Sequence, residues 1–173
     1  MFIADGLPGI EEEIKQVYPR ADFQLCAVHA SRNVESKVRV NDRNVIDQDL
    51  ERIFLSSTKE EATTQFSAFK DAWSKKYLRP EYSIEKNLNV LLKFYEYPKS
   101  IRRSIHSTNL IERMNREIRR RIKIIYSLPT EESAMKIIYP RAAEINEKWS
   151  FRALRGYYKC SEEIGTMFHD RYP

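Results

Sequence analysis

The sequence has only two cysteines, Cys26 and Cys160, in 173 residues, and it contains no run of about 18 apolar residues. Two cysteines do not form a disulfide framework in a chain of this size, so a reducing cytoplasm is the expected location. The first residues also lack the basic segment and the apolar length of a secretory signal. Membrane and exported proteins are therefore excluded, and 42% apolar with 32% charged residues predict one globular unit or a piece of one.

Positive charge is concentrated in one segment of the chain. The formal net charge is only +5, but residues 99–123 contain nine basic and two acidic residues, which gives this segment +7 and leaves −2 for the remainder. Such a density favours a polyanionic partner, because each Lys or Arg at a phosphate displaces a condensed counterion. The alternative interpretation is a solvated helix face.

Apolar periodicities predict an α/β chain that is mostly helical. Residues 2–4 predict a strand that stops at a turn over residues 5–9, and a helix then runs from Ile10 to Pro19. Residues 21–29 alternate in polarity, which predicts a second strand. From about residue 31 to residue 97, apolar residues recur every three or four positions, as in an all-helical block whose aromatic stripes are core. Pro98 is expected to close this block.

The remainder of the chain is predicted to be a linker followed by helices. Residues 100–106 read as a basic linker, and a helix is predicted to start within residues 107–109, which are all able to cap it. A break at residues 127–130 precedes a further helix that begins near Glu131. Pro140 is expected to kink or end that helix.

Two acidic residues are candidates for chemistry, and each has a structural alternative. Asp5 follows the first strand, but an Asp before a Gly is also a common turn former. Glu112 lies in the predicted basic helix, where Asn109 and Glu112 fit a capping box and Glu112 and Arg116 fit an i,i+4 ion pair. Neither acid alone identifies a function.

The pair Cys26 and His29 has the spacing of half a zinc site. Its other half would have to come from Cys160 and His169, which lack the close spacing of a structural zinc knuckle. On a strand, Cys26 and His29 point to opposite faces because their separation is odd. Joint ligation therefore requires the strand to end between them.

Three segments taken together resemble the catalytic part of the Mutator-type (bacterial insertion-sequence) DDE transposases. They are DGLPG at 5–9, QLCAVH at 24–29 and STNLIERMNREIRRR at 107–121, followed by SLPTE at 127–131 and a late Trp149. The resemblance covers essentially the whole chain. It implies a partial ribonuclease H-like domain with two strands retained and an all-helical insertion. Residues 1–34 are then the partial core, 35–98 the insertion, and 99–173 the catalytic-helix segment with the C-terminal helices of the same core.

The resemblance also implies a function and a set of site residues. Asp5 is similar to the second acid of the catalytic triad and Glu112 to the third, both as ligands of Mg²⁺ or Mn²⁺. Cys26 and His29 match a family signature beside the active site whose role is open, as is that of Asn109. The implied activity is metal-dependent DNA cleavage and strand transfer at element ends and target DNA by a multimer. DNA-binding residues are expected to be Arg113, Arg116, Arg119, Arg120, Arg121 and Lys123.

The family's first triad acid lies on a strand that precedes Asp5, where this sequence has only four residues. The expectation is a truncated or split transposase that is inactive alone, with further subunits or full-length transposase as its partner. The alternative is a non-catalytic DNA- or protein-binding remnant that acts as an inhibitor or persists as a decayed gene. A third interpretation is a basic helical regulator unrelated to transposition.

Overall fold

The computed structural model describes residues 1–77, 83–123 and 130–173. Two strands are present in these residues, β1 (Phe2–Ala4) and β2 (Phe23–Leu25). The helices of the first half are α1 (Ile10–Val17), α2 (Ala27–Glu35), α3 (Val40–Phe54), α4 (Lys59–Trp73) and α5 (Leu88–Leu91). Those of the second half are α6 (Lys99–Ile105), α7 (Asn109–Ile122), α8 (Glu131–Ser150) and α9 (Ser161–Arg171), with short 3-10 helices at Lys93–Glu96 and Tyr157–Lys159.

The strands form a parallel pair connected through α1. Phe2 pairs with Phe23 and Ala4 with Leu25, so both strands end at the same edge. Parallel strands need a crossover connection, and α1 provides it. The backbone N–H of Cys26 donates to the carbonyl of Ala4 at 2.8 Å, which fixes the two strand ends side by side. The predicted order of strand, helix and strand, within a mostly helical chain, is confirmed.

The hydrophobic core lies mainly between α3 and α4. Leu50 and Ile53 of α3 are fully inaccessible to solvent, and Phe66 and Phe69 of α4 are buried against the same core. Burial of each such side chain stabilises the fold by about 1.5–3 kcal/mol. Trp73 packs at the margin of this core. The interpretation of the aromatic stripe as packing is therefore confirmed.

Gln24, in the middle of β2, is fully buried and completely hydrogen-bonded. Its amide Nε2 donates to the carbonyl of Leu91 at 2.9 Å, and its Oε1 accepts from the backbone N–H of Phe94 at 2.7 Å. Buried polar groups are retained where such partners exist. These bonds attach β2 to α5 and to the 3-10 helix that follows it.

Asp22, immediately before β2, joins the N-terminal and C-terminal parts of the chain. Its carboxylate lies 2.7 Å from Arg171 and 3.1 Å from Lys93, and it accepts a hydrogen bond from the Tyr97 hydroxyl at 2.8 Å. Burial alone would raise the pKa of Asp22, but these hydrogen bonds outweigh it and lower the pKa below 3.8. Burial, together with the bond to Asp22, raises the pKa of Tyr97 to about 12.

Two local predictions are wrong, and so is one of the two alternatives predicted for Pro140. The second strand ends at Leu25 and not at residue 29, because α2 begins at Ala27 and buries that residue. The predicted basic linker is helix α6, since Ile101 and Ile105 give it a buried face. Pro140 lies inside α8 without ending it; the position is exposed, so water can bond the carbonyl that loses its N–H partner.

The predicted break at residues 127–129 lies outside the described residues. Thr130, just after it, is the N-cap of α8 and accepts a hydrogen bond from the N–H of Ser133 at 3.1 Å. In the part of the chain that is described, none of the helices is both long and apolar enough to span a membrane.

Candidate active site

Four residues that the sequence singles out meet at the edge where both strands end. Asp5 follows β1, Cys26 follows β2, His29 is in the first turn of α2, and Glu112 is in the first turn of α7. The carboxyl ends of parallel strands share one edge of a sheet, which brings the first three together. Helix α7 returns to this edge after the helical block and adds Glu112.

The imidazole ring of His29 lies between the two candidate carboxylates. Its Nδ1 is 3.2 Å from an oxygen of Asp5, and its Nε2 is 3.4 Å from an oxygen of Glu112. Half of the Asp5 side chain is exposed, whereas Glu112 is 24% exposed and also lies 3.3 Å from Arg32. Two acids that are far apart in the sequence thus border the same histidine.

Cys26 is fully buried beside this histidine. Its sulfur lies 3.2 Å from Nδ1 of His29 and accepts from the backbone N–H and the hydroxyl of Thr108 at 3.3 and 3.4 Å. The expectation that Cys26 and His29 point to opposite faces is wrong. Because β2 ends at Leu25, they occupy the cap and the third residue of a helix, and residues three apart in a helix share a face.

The start of α7 also differs from the predicted capping box. Thr108 is the N-cap, and Asn109 is the first helical residue. The Thr108 side chain makes no capping bond; its hydroxyl lies 3.3 Å from His29 and donates to Cys26. Glu112 likewise pairs with His29 and Arg32 instead of Arg116. Thr108 is therefore a site residue that the sequence patterns did not identify. In the structure it is only 5% exposed, which is unusual for a threonine.

Cys160 and His169, from which the second half of a zinc site would have to come, do not join this cluster. Cys160 hydrogen-bonds to carbonyls at residues 156 and 157, and His169 stacks edge-on with Phe168 in α9. Among the residues described, Asp5, Cys26 and His29 form a group of potential metal ligands, with ligand atoms all within 4.8 Å of one another.

His106, at the end of α6, contacts the helix that carries His29. Its carbonyl accepts from the N–H of Ala27 at 3.0 Å, which joins the end of α6 to the start of α2. Burial lowers the pKa of His106 below 6.5, although backbone hydrogen bonds from its own helix oppose this shift. Burial thus favours the neutral form of His106.

The basic residues of α7 face solvent. All six that the sequence predicts to bind DNA are exposed, and none of the residues in this helix is fully buried. Arg120 lies 3.5 Å from Glu117, which also pairs with Arg141 of α8 at 3.0 Å. A groove between α7 and α8 is lined by four cations, Arg120, Arg121, Lys136 and Arg141, and by two acids, Glu117 and Glu144. This surface is accessible to a polyanion.

Residues 1–151 match the family described as "Transposase, Mutator family". The chain belongs to this family. The match contains the strand edge, the helical block and α7, so the membership that the three sequence motifs predicted is confirmed.

The relatives of this Mutator-family chain carry names of insertion-sequence transposases. It is 36% identical over 168 residues to the "Transposase for insertion sequence element IS905" of Lactococcus lactis subsp. lactis (strain IL1403), a match that covers 97% of this chain and 43% of the relative. It is 40% identical over 133 residues to the IS1201 transposase of Lactobacillus helveticus, which is 77% of this chain and 36% of that relative. It is 30% identical over 171 residues to the ISRM3 transposase of Rhizobium meliloti (strain 1021), which is 98% of this chain and 42% of that relative. The chain spans less than half the length of these relatives.

Proposed function

We propose that this chain acts in DNA transposition and contributes Asp5 and Glu112 as carboxylate ligands to metal-dependent strand cleavage and strand transfer. The observation that carries the proposal is the placement of both carboxylates within 3.4 Å of one imidazole ring, at the end of a parallel strand pair. Family membership and the names of the relatives support transposition itself. The strand pair with an acid at its edge is also consistent with part of a ribonuclease H-like core.

The donor set fits Mg²⁺ or Mn²⁺. Both ions take hard oxygen ligands, and Mg²⁺ completes its coordination with waters and substrate phosphates. The half-exposed Asp5 leaves such an opening, while the more buried Glu112 is oriented by Arg32 and His29. When bound, divalent ions would activate a nucleophilic oxygen and stabilise the charge on the leaving oxygen.

The chain's own residues would then position the DNA. The exposed arginines of α7 extend from the turn that carries Glu112, so a phosphate backbone bound along this helix passes beside the carboxylates. Contacts of this type neutralise phosphates and carry no base sequence information. They therefore suit both the element ends and the target DNA. Further copies of the chain or full-length transposase are the proposed protein partners.

Binding of Mn²⁺, followed by electron paramagnetic resonance, tests the carboxylate site without requiring activity. Asp5→Asn and Glu112→Gln are each expected to weaken Mn²⁺ binding by at least about tenfold, since each removes one of few charged ligands. Glu132→Gln is the matched control, because Glu132 is 76% exposed and, among the described residues, pairs with Lys136 of the same helix.

A plasmid-nicking assay in Mg²⁺, with the chain alone and with full-length transposase added, tests the catalytic part of the proposal. Nicking that requires Asp5 and Glu112 supports it. If both variants bind Mn²⁺ like the unmodified chain, the shared metal site is wrong. DNA binding without metal binding would favour the non-catalytic DNA-binding remnant instead.

A further inference from the structure

The cluster at the strand edge contains a thiol and an imidazole as well as carboxylates. Nδ1 of His29 is 3.2 Å from the sulfur of Cys26 and 3.2 Å from an oxygen of Asp5. The ligand atoms of all three residues lie within 4.8 Å of one another. A mixed sulfur, nitrogen and oxygen set of this kind is not explained by a role in holding Mg²⁺, which does not take thiolate ligands.

The two distances from His29 are close to those between neighbouring ligands of a tetrahedral zinc centre. Zinc binds thiolate at about 2.3 Å, imidazole at about 2.0–2.1 Å and carboxylate at about 2.0–2.2 Å, so neighbouring ligand atoms lie roughly 3.3–3.6 Å apart. The two distances from His29 therefore need to change by only a few tenths of an ångström. Asp5 lies on the half-exposed side of the cluster, which gives an ion access from solvent.

The surroundings of the cluster also match those of a zinc centre. Histidines that bind zinc through one ring nitrogen commonly donate from the other to a carboxylate, which fixes the ring and its tautomer. Here Nε2 of His29 lies 3.4 Å from Glu112. The sulfur of Cys26 accepts two hydrogen bonds from Thr108, and such donors stabilise a thiolate.

We propose that Asp5, Cys26 and His29 bind one Zn²⁺, with water in the fourth position on the exposed side of Asp5. The thiol of Cys26 loses its proton to solvent as the ion binds, and His29 coordinates through Nδ1 while its Nε2–H donates to Glu112. The proposal does not depend on the function proposed above. The two sites share Asp5, so an ion at one withdraws this carboxylate from the other.

Co²⁺ and Zn²⁺ titrations of the purified chain, without DNA or Mg²⁺, test the site. Co²⁺ bound through Cys26 is expected to give a near-ultraviolet thiolate charge-transfer band, and Zn²⁺ is expected to displace it at one ion per chain. Cys26→Ser should abolish the band and weaken Zn²⁺ binding by more than about 100-fold, because loss of an outer hydrogen-bond partner alone costs 10–100-fold. Cys160→Ser, which changes the other buried cysteine, should leave both unchanged.

His29→Ala and His169→Ala form a second matched pair, of which only the first is expected to lose binding. If Cys26→Ser fails to fold, Asp5→Asn provides a second test, because Asp5 is half exposed and its replacement should not disturb folding. This variant should retain the circular dichroism of the chain and weaken Zn²⁺ binding at least about tenfold. A charge-transfer band that persists in Cys26→Ser, or Zn²⁺ affinity unchanged in both His29→Ala and Asp5→Asn, would overturn the proposal. So would the absence of Zn²⁺ binding at micromolar concentrations. Because neither Mg²⁺ nor DNA is present, failure here is distinct from failure of the nicking assay.

Discussion

Replacing Gln24 by Leu tests how the strand that carries Cys26 is held in place. Leucine has a similar volume and satisfies none of the hydrogen bonds that the buried amide makes with Leu91 and Phe94. The substitution therefore leaves the buried carbonyl of Leu91 and the buried N–H of Phe94 without partners, and it also removes the donor to the part-buried carbonyl of Leu25. Because the side-chain volume changes little, the loss of these hydrogen bonds is expected to be the main effect.

The magnitude follows from those two groups. A buried donor or acceptor that loses its partner costs about 1–3 kcal/mol, so Gln24→Leu is expected to lower the free energy of unfolding by about 2–6 kcal/mol. Domains are stable by only about 5–15 kcal/mol, so this loss is a large fraction of the total. The result should appear as a lower midpoint of urea unfolding with an unchanged slope.

The control is Gln48→Leu in α3, where the side chain is exposed. Surface substitutions of this kind usually change stability by less than about 0.5 kcal/mol. The two variants are compared by urea titrations followed by far-ultraviolet circular dichroism, which reports helix content. A loss for Gln24→Leu within about 1 kcal/mol of that for Gln48→Leu would refute the argument that Gln24 holds β2 through its buried amide.

Three further predictions follow from other parts of the fold. Gly156→Ala should lower stability by at least about 2 kcal/mol in thermal unfolding, because φ is 91° and a Cβ would lie 1.8 Å from the carbonyl oxygen of Ser100, whereas Gly165→Ala, with open space around it, should not. Folding lowers the pKa of Asp22, so its ionised carboxylate stabilises the fold above pH 3.8, and this stabilisation is lost as the pH falls through the folded-state pKa. Asp22→Asn should therefore lose less stability than the unmodified chain between about pH 6 and about pH 3. An equal loss in the variant and the unmodified chain would contradict this. Arg119→Ala should weaken DNA binding equally for unrelated sequences and reduce the slope of log affinity against log salt by about 1, as measured by fluorescence anisotropy, and a sequence-dependent effect would argue against backbone contact.

Local sequence patterns predicted the type of most elements but not all of their ends. Residues 21–29 keep alternating in polarity beyond Leu25, so the pattern alone extends the strand. The strand ends early because Ala27 can be buried equally well in the first turn of α2, against a core that the sequence does not show. Similarly, the charged residues within 100–106 led to the prediction of a linker, although Ile101 and Ile105, four positions apart, form the buried face of a helix.

For the site, motifs identified the residues that touch one another but not how they do so. Asp5, Cys26, His29 and Glu112 were all selected from the sequence, and the structure places the other three around the ring of His29. Thr108 was seen only as a possible cap, because its contact with Cys26 joins residues 82 positions apart. Contacts over such separations depend on the complete fold and leave no local periodicity.

The contact between the start of α2 and the start of α7 also makes the intervening helices a closed loop. The chain leaves the strand edge at Ala27, whose N–H donates to His106, and it returns at Thr108, whose N–H donates to Cys26. Each doubling of the length of a closed loop costs only about 0.6 kcal/mol in closure entropy. Because the core between α3 and α4 and the partners of Gln24 lie within this stretch, only its exposed turns can lengthen or accept an insertion at so small a cost while the spacing of the four site residues stays the same.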